Sequence, residues 1–510
     1  MERREEKKKV KKTSHLKHEK LSNINGSGSG ILNDVDSFYT FPEDHNGIEY
    51  CSGTACFVSR FRDPPLFGLA ERSEKKTYCL GKCYLGPASS NKNGEPSIEV
   101  KSSAAIVLEN IVNGPLRDIK DYSNTGGFSA LKNAIAMNRE EVVGTIKDSM
   151  LRGRGGAGFP TGVKWESVFT QSSDRKYVIV NADEGDAGAY IDKVIMEYDP
   201  FKLLEGTVIA GYASGSNAGY IYIRREYPEA ISTILSAIRS MNENGFLGRN
   251  ILGSDFSFDL RVVVGRGSYV CGEETAMLRS IEGRRPEVSV RPPYPTESGL
   301  FNMPTVIDNV ETLSNVPWIL TKGADKFKDL GFSKSRGTKA VSLNSLFRRP
   351  GLYEIDLGIS LEDLIFEIGG GLKEGNVSGV IVGGPLAGIV TPDKFSTKLG
   401  YEEMRAIGAS LGHGGVIAFD EHTSMHELIE NVSSFVAFES CGKCTPCRIG
   451  SRVIKDAFST RTNKSLSYDD YTDIVSTLKE VSLCGLGTGL GEFLSSANTN
   501  FNREVRSCFA

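Results

Sequence analysis

The spacing of apolar residues predicts how the middle of this chain is built. In one stretch, apolar side chains recur at helical spacing, at Val142, Val143, Ile146 and Met150. The runs YVIV (177–180) and LRVVVG (260–265) are short and apolar, which indicates buried strands. Between residues 337 and 400, strand-like runs alternate with one helix and bring no reactive side chains together, so they predict a small mixed domain with a structural role. Residues 284–313 are rich in proline and are predicted to be irregular.

Composition and charge exclude several classes of function. The 510 residues carry a formal net charge of −4, which argues against nucleic acid as a main partner. No apolar run approaches the roughly 18 residues that a membrane span needs, so direct membrane insertion is not expected. Residues 1–46 lack the apolar core of a signal peptide and are predicted to form a disordered tail, with a basic anchor for a partner as the alternative. The sequence contains no P-loop motif, which argues against a P-loop NTPase.

A glycine-rich loop, GRGGAGF (153–159), indicates a phosphate site. Gly153, Gly155 and Gly158 satisfy G-x-G-x-x-G, a dinucleotide-binding pattern that requires a strand before it and a helix after it. A predicted helix precedes this loop instead. The sequence therefore predicts a phosphate site of a different design from an ordinary Rossmann turn.

Polar residues follow both predicted strands, where ligands of open α/β sheets bind. The first strand leads to Asn181, Asp183, Glu184 and Asp186, which suit hydrogen bonds to sugar or ribityl hydroxyls, with a solvated turn as the alternative. The second leads through glycines to Glu273 and Glu274. Two aromatic residues, Phe159 and Tyr294, are candidates for stacking on a ring, with core packing as the alternative.

The histidines are not expected to take part in the chemistry. None of the six lies between residues 46 and 412, where the glycine-rich loops are. The reaction is therefore predicted to need no histidine base, which weakens hydrolase interpretations.

Cysteines near the carboxyl terminus predict an iron–sulfur cluster. Cys441, Cys444 and Cys447 form C-x2-C-x2-C, and Cys484 follows after 36 intervening residues. A triplet plus one distant cysteine is typical of a 4Fe–4S cluster, whereas four-cysteine zinc sites usually consist of two separated pairs. The adjacent SRVIKDAF (451–458) is predicted to be helical.

A second group of four cysteines lies near the amino terminus. Cys51 and Cys56 form C-x4-C, and Cys79 and Cys83 form C-x3-C. Two such pairs suit either zinc or a 2Fe–2S centre, with four unrelated cysteines as the remaining alternative. Ten cysteines in a chain without a signal peptide predict a reducing, cytoplasmic location.

Six motifs together resemble one protein family. LRGRGGAGFPTGVKW, NADEGDAGAY, GRGSYVCGEETA, PTVIDNVETL, ESCGKCTPCRIG and SLCGLG, in this order, resemble the NADH- and flavin-binding subunit of respiratory complex I. The diaphorase subunits of soluble NAD-linked hydrogenases and formate dehydrogenases are close relatives of that subunit. The resemblance covers residues from about 125 to 500.

The resemblance implies a binding site for FMN and NAD(H). Its positions in this sequence are Gly153, Gly155, Gly156, Gly158, Phe159, Lys164, Asn181, Asp183, Glu184, Asp186, Gly272, Glu273, Glu274, Tyr294, Asn309 and Thr312. Three positions depart from the complex I pattern: Asp186 replaces a glutamate, Tyr294 replaces a phenylalanine, and Ser167 stands where a further aromatic is usual. No catalytic side chain is implied, because the flavin itself carries the hydride.

The resemblance also implies the fold class, an α/β multidomain protein. Residues 48–100 resemble the thioredoxin-like 2Fe–2S subunit of complex I in a shortened form, which favours 2Fe–2S over zinc at the first cysteine group. The implied domains after the tail are a truncated thioredoxin-like ferredoxin domain (47–115), a Rossmann-like FMN/NAD(H) domain (116–336), a ubiquitin-like (SLBB) domain (337–405) and a helical 4Fe–4S bundle (406–510).

The implied function is electron transfer between NAD(H), FMN and a 4Fe–4S cluster. We expect the diaphorase subunit of a soluble NAD-dependent formate dehydrogenase or NAD-reducing hydrogenase, because of the cysteine segment and EGDAGAY. Its expected partners are a thioredoxin-like 2Fe–2S subunit and an iron–sulfur catalytic subunit with molybdenum, tungsten or nickel. The alternatives are the complex I subunit itself, an electron-bifurcating relative and a non-catalytic scaffold.

Overall fold

Two β-sheets and a short hairpin organise this computed structural model, which describes residues 48–73, 77–459 and 466–509. The predicted tail, residues 1–46, lies outside the described residues. The strands are β1 Ser97–Val100, β2 Tyr177–Ala182, β3 Ala218–Arg224, β4 Asp259–Gly265, β5 Thr305–Asn309, β6 Gly331–Phe332, β7 Ser335–Arg336, β8 Thr338–Leu343, β9 Gly351–Asp356, β10 Val377–Val382, β11 Ile389–Val390 and β12 Gly415–Asp420.

Helices cover the sheets and form the carboxyl-terminal part. They are α1 Thr54–Val58, α2 Pro64–Arg72, α3 Ile119–Asn124, α4 Ser129–Ala136, α5 Arg139–Asp148, α6 Thr161–Phe169, α7 Ile191–Tyr198, α8 Pro200–Ser214, α9 Pro228–Glu243, α10 Glu274–Ile281, α11 Pro295–Ser298, α12 Val310–Lys322, α13 Ala324–Asp329, α14 Tyr401–Ala406, α15 Met425–Glu439, α16 Ser451–Ala457, α17 Tyr468–Val481, α18 Gly485–Asn500 and α19 Asn502–Arg506. In the described ranges no helix is both long enough and apolar enough to cross a membrane.

The first sheet is parallel throughout, with strand order β4-β3-β2-β5. Both strands predicted from apolar runs, β2 and β4, are confirmed. The prediction of an irregular segment is wrong for residues 305–309, which form β5. The run Thr305-Val306-Ile307 is β-branched and buried, so it pairs with β2 although prolines precede it.

The second sheet is mixed, with strand order β1-β9-β8-β12-β10-β11. It contains the strands predicted between residues 337 and 400, but it also recruits two strands from outside that range. β12 pairs with β8 and β10, so the sheet extends past the predicted boundary at residue 405. β1 comes from the amino-terminal segment and pairs with β9, and the described residues of 48–115 form no sheet of their own.

The glycine-rich loop joins two helices, as its sequence context predicts. Helix α5 begins with a capping box between Asn138 and Glu141 and ends at Asp148. A bridge between Arg152 and Pro160 then closes the loop, and α6 begins at Thr161. The loop is therefore a closed turn between helices and differs from a strand-to-helix Rossmann turn.

Helix α8 is the buried centre of the first-sheet domain. It packs against α12 and lies behind β2. Its Glu205 carboxylate accepts hydrogen bonds from Tyr122 Oη, at 2.6 Å, and from the backbone N–H groups of Phe128 and Leu131. At Gly206 the two helices approach so closely that a Cβ would lie 2.0 Å from the carbonyl oxygen of Leu313.

We expect Gly206→Ala to lower the free energy of unfolding by about 2–3 kcal/mol, because the added methyl meets rigid backbone. Gly144→Ala is the matched control, since a Cβ at this helical position meets nothing within 4 Å. That change is expected to be neutral or to stabilise by up to about 1 kcal/mol. Urea unfolding followed by tryptophan fluorescence measures both, because the chain's two tryptophans, Trp165 and Trp318, lie in this domain. Equal effects of the two substitutions would contradict the close approach.

Candidate functional site

A cavity of about 260 Å³ lies at the carboxyl ends of β2 and β5. Half of the predicted FMN and NAD(H) positions line it, namely Gly155, Asn181, Asp183, Glu184, Asp186, Gly272, Glu273 and Asn309. Sequence reasoning missed other lining residues, including Asp192, Tyr269 and His413, and Cys484, predicted as a cluster ligand, also lines the cavity. The cavity is thus built from both sheets and from the carboxyl-terminal helices.

The other half of the predicted positions lie outside the cavity lining; they are Gly153, Gly156, Gly158, Phe159, Lys164, Glu274, Tyr294 and Thr312. Some of them fix the glycine loop. Thr312 Oγ1 accepts a hydrogen bond from the N–H of Arg154 at 2.8 Å. The fully buried Arg154 guanidinium in turn donates to Tyr401 Oη and to the carbonyl of Arg336.

Phe159 and Tyr294 are both exposed on the surface of the described structure. Their side chains are 50% and 52% exposed, respectively. Core packing, the alternative to ring stacking, is therefore excluded for both residues, and stacking on a nucleotide stays a prediction.

Lys164 is held by acidic residues of the chain. Its Nζ lies 3.2 Å from Asp308 Oδ1 and 3.3 Å from Glu274 Oε1. Burial acts to lower the pKa of Lys164, but the two carboxylates outweigh burial and raise it. Trp165 Nε1 donates to the same Asp308 at 2.7 Å. The Lys164 ammonium therefore stabilises the position of the carboxyl end of β5.

The loop after β2 places buried carboxylates in the cavity wall, which excludes a solvated turn. The Glu184 carboxylate accepts the N–H groups of Ile191, Asp192 and Lys193, at 2.7, 3.0 and 3.1 Å, in the first turn of α7. Burial and the neighbouring Asp192 carboxylate raise the pKa of Glu184 to about 7. Asp186 accepts a hydrogen bond from Tyr269 Oη at 2.6 Å.

His413 corrects the expectation that the histidines take no part. It precedes β12, and its ring lies beside the acidic wall, with Nε2 3.0 Å from Asp192 Oδ2 and Nδ1 3.5 Å from Glu184 Oε1. Burial acts to lower the pKa of His413, but Asp192 and Glu184 raise it to about 9. The cavity therefore has a cationic group at neutral pH.

Several buried polar atoms of the cavity wall are left without a hydrogen-bond partner among the described residues. They are Asp183 Oδ2, Asp192 Oδ1, Glu273 Oε1 and His413 Nδ1, of which the last two lie 3.5 Å from the charged groups of Arg291 and Glu184, respectively. Buried polar atoms are normally satisfied, so four such atoms around one cavity indicate a polar ligand. The hydroxyls and phosphate of FMN supply both donors and acceptors, so the residues present fit this cofactor.

The carboxyl-terminal cysteines come together beside the cavity. Cys441, Cys444 and Cys447 lie before and within a π-helical turn, Pro446–Gly450, and Cys484 directly precedes α18. A hydrogen bond with Cys447 lowers the pKa of Cys444 to about 5. Burial raises the pKa of Cys484 to about 11, and the nearby Cys441 and Cys444 thiols add to that shift. Because Cys484 also lines the cavity, one residue belongs to both sites.

The amino-terminal cysteines also form one buried group, which excludes four unrelated cysteines. Cys51, Cys56, Cys79 and Cys83 are each 1% exposed. Cys51 makes hydrogen bonds with Cys56 and Cys79, and Cys79 Sγ lies 3.3 Å from Cys83 Sγ.

Backbone N–H groups donate to two of these sulfurs, Gly81 to Cys79 at 3.3 Å and Gly188 to Cys83 at 3.2 Å. Gly188 belongs to the loop that carries the acidic cavity wall. The group of four amino-terminal cysteines therefore contacts the loop that forms the cavity wall, on the side away from the cavity.

Comparisons with known proteins match both halves of the site. Residues 146–318 match the Nuo51 FMN-binding domain, and residues 427–508 match the NADH-ubiquinone oxidoreductase-F iron–sulfur binding region. The NADP-reducing hydrogenase subunit HndC of Solidesulfovibrio fructosivorans is 40% identical over 76% of this chain and 80% of its own length. The F 2 subunit of NADH-quinone oxidoreductase from Rhizobium meliloti (strain 1021) is 44% identical over 65% of this chain and 79% of its own length.

A solved structure shares the fold over nearly the whole chain. It is that of an NAD+-reducing NiFe hydrogenase in the H2-reduced state, with a TM-score of 0.81 and 24% identity. The match covers 96% of this chain and 89% of that chain, so it includes the amino-terminal segment. The predicted α/β multidomain fold with a helical carboxyl-terminal part is confirmed.

The glycine loop yields a test of the cavity. A Cβ at Gly155 would lie 2.9 Å from Asn309 Cβ, so Gly155→Ala is expected to displace a lining side chain and weaken FMN affinity about tenfold or more. At Gly153 a Cβ would lie 3.6 Å from the Phe159 carbonyl oxygen, an ordinary contact, and Gly153→Ala is expected to retain normal affinity. Quenching of flavin fluorescence during titration of flavin-depleted protein measures both. Loss of FMN affinity in Gly153→Ala alone would contradict the assignment of this cavity to FMN.

Proposed function

The chain belongs to the family of FMN-binding, iron–sulfur oxidoreductase subunits that includes the F subunit of NADH-quinone oxidoreductase, and from this premise we propose that it is a diaphorase subunit. It would serve a soluble, cytoplasmic, multi-subunit NAD-reducing hydrogenase or NAD-dependent formate dehydrogenase. The observation that carries electron exchange is the position of Cys484, which lines the flavin cavity and belongs to the 4Fe–4S cysteine group. Electrons leaving the cavity then have a cluster ligand in its wall.

The side chains of the cavity position the cofactor. When bound, FMN accepts a hydride from NADH and releases electrons singly. Asn181 is held by a hydrogen bond from its Nδ2 to the carbonyl of Gly272, at 2.9 Å, so both residues keep a fixed place in the wall. Asp183 offers a carboxylate oxygen without a hydrogen-bond partner among the described residues, which suits a ribityl hydroxyl.

The amino-terminal segment favours the diaphorase over the complex I subunit. It is built into the domain interface: Arg224 Nη2 donates to the Tyr78 carbonyl at 2.9 Å, and Arg62 Nη1 donates to the Ser345 carbonyl at 3.0 Å. The fold match that includes this segment is to an NAD+-reducing hydrogenase. The complex I subunit is the second candidate, supported by the identity to the F subunits of NADH-quinone oxidoreductases.

We assign a 2Fe–2S cluster to the amino-terminal cysteines. Their hydrogen bonds run in a chain, from Cys56 to Cys51 to Cys79 to Cys83. Four buried thiols in one group suit either zinc or two irons, and the resemblance of residues 48–100 to a thioredoxin-like 2Fe–2S subunit favours the two irons. The N–H groups of Gly81 and Gly188 would donate to the cluster thiolates.

Cys79→Ser is expected to lower bound iron by about two atoms per chain and leave the 4Fe–4S cluster in place. Elemental analysis of iron and zinc, with electron paramagnetic resonance of the reduced protein, measures this. Cys508→Ser is the matched control, since Cys508 belongs to neither group. Loss of one zinc and no iron would contradict the 2Fe–2S assignment.

Cys444→Ser is expected to lower the rate of electron exit from the flavin at least a hundredfold, because Cys444 belongs to the cluster group. NADH-dependent bleaching of the flavin is expected to stay intact, because Cys444 lies outside the cavity lining. Stopped-flow absorbance follows the flavin, and reduction of a one-electron acceptor follows the exit. Loss of flavin reduction in a folded variant that retains FMN would contradict this separation of roles.

Anaerobic native purification from the source organism, with mass spectrometry and metal analysis of the complex, tests the proposed assembly. A partner subunit with nickel, molybdenum or tungsten supports a diaphorase, and its metal narrows the substrate to hydrogen or formate. Co-purification with a set of membrane subunits would overturn the proposal in favour of the complex I subunit.

A further inference from the structure

The wall of the flavin cavity is strongly acidic. Five carboxylate side chains line it, those of Asp183, Glu184, Asp186, Asp192 and Glu273. Among the described lining residues, His413 is the only one whose side chain can carry a positive charge. FMN, by contrast, is a phosphate monoester and enters with negative charge. The cavity therefore needs a means of holding an anion among carboxylates.

Lys164 does not meet this need in the structure. It lies outside the cavity lining, and its Nζ is paired with Asp308 and Glu274. It also donates a hydrogen bond to the carbonyl of Ile307. The ammonium group of Lys164 is thus already paired with groups of the chain.

Within the described structure, His413 is hydrogen-bonded at only one of its two ring nitrogens. Nε2 pairs with Asp192 Oδ2 at 3.0 Å, and the same Asp192 oxygen accepts a hydrogen bond from Asn309 Nδ2 at 2.6 Å. Nδ1 is buried and lies 3.5 Å from Glu184 Oε1, and it makes no hydrogen bond to the described residues. The backbone is fixed as well, because the carbonyl of His413 accepts a hydrogen bond from the buried Lys339 at 2.8 Å.

The surroundings of His413 have the features of a phosphate site. A Cβ on Gly156 would lie 3.7 Å from the carbonyl carbon of Gly412 and 3.9 Å from the backbone nitrogen of His413, so the bare glycine loop passes close to the backbone at His413. Asn309, which bonds to the same Asp192, caps the amino terminus of the 13-residue helix α12. Glycine backbone and the first turn of a helix are the usual environment of a bound phosphate.

We propose that His413 binds the phosphate of FMN, with Asp192 orienting the imidazolium and Nδ1–H donating to a phosphate oxygen. This inference rests on the assignment of the cavity to FMN and adds a ligand that the glycine-loop motif does not contain. The protonated ring also offsets part of the negative charge of Asp192 and Glu184, which reduces their repulsion of the phosphate.

The charges that face His413 maintain its protonation. Asp192 and Glu184 favour the imidazolium, while the ammonium of Lys339 and burial oppose it, and the resulting pKa is about 9. Asp186 is a further carboxylate that senses the His413 charge. Because this pKa is raised, the cation is present at neutral pH and is lost as the pH rises through about 9.

The test compares FMN with riboflavin, which has the same ring and ribityl chain but no phosphate. In His413→Asn, FMN affinity at pH 7 is expected to fall about 10- to 100-fold, as for loss of one charge-assisted hydrogen bond. Riboflavin affinity is expected to change less than about twofold, since only the phosphate contact is removed. His422→Asn, at an exposed histidine after β12, is the matched control and should leave both affinities unchanged.

The pH dependence separates binding from a structural role. With wild-type protein, FMN affinity is expected to weaken as the pH rises through about 9, and His413→Asn should lack this step. An equal loss of FMN and riboflavin affinity, or unchanged FMN affinity, would overturn the proposal.

A second measurement needs no substitution. The phosphorus NMR signal of FMN bound to the wild-type protein is expected to shift across the same pH range, and a constant signal would overturn the proposal. Failure of the wild-type protein to bind FMN would instead overturn the assignment of the cavity itself.

Discussion

The loop between β2 and α7, residues 183–190, is the constraint on which the rest of the structure depends. The Glu184 carboxylate binds the three free N–H groups at the start of α7 and so fixes the course of this loop. Within the loop, the N–H of Gly188 donates to Cys83, and its carbonyl accepts from Ser342 in the second sheet. The cavity wall, the amino-terminal thiols and the second sheet are therefore positioned by one short segment. A change in its course would displace all three together.

Buried charge is handled in two ways in this protein. Outside the cavity, some buried carboxylates are satisfied by the chain: Glu354 accepts the N–H groups of Ile106, Val107 and Leu108, and Glu311 pairs with the buried Lys339. Other buried carboxylates there, such as Glu197, keep one oxygen without a hydrogen-bond partner in the described part of the chain, but these oxygens do not surround a common cavity. In the cavity wall, Asp183 and Asp192 each keep one oxygen without a hydrogen-bond partner among the described residues. Leaving such atoms unpaired costs stability, so their grouping is better explained by a ligand that completes them.

Local patterns predicted the parts of the site that lie close together in sequence. The strand β2 and the polar residues after it follow from one short run, and the cavity is found where those residues were expected. His413 was missed because it is separated from Asp192 by 221 positions and joins it only through the packing of the two sheets. The only local signal is a histidine between glycines just before an apolar strand, in GHGGVIAF. The ion pair of Lys164 could not be predicted for the same reason. Its partner Asp308 is distant in sequence and belongs to β5, a strand that the preceding prolines made unrecognisable.

The placement of the two cysteine groups follows from the way the domains meet. Cys484 reaches the cavity because α18 begins there, and Cys83 reaches the back of the wall through Gly188. Under the proposed function, the flavin therefore has a cluster ligand on one side and a second thiolate centre behind the acidic loop. The backbone N–H bonds to Cys79 and Cys83 stabilise negative charge on those sulfurs and so favour the reduced form of a cluster held there. Because one of these bonds comes from the cavity loop itself, a shift of that loop changes both the flavin environment and the electron affinity of the second centre.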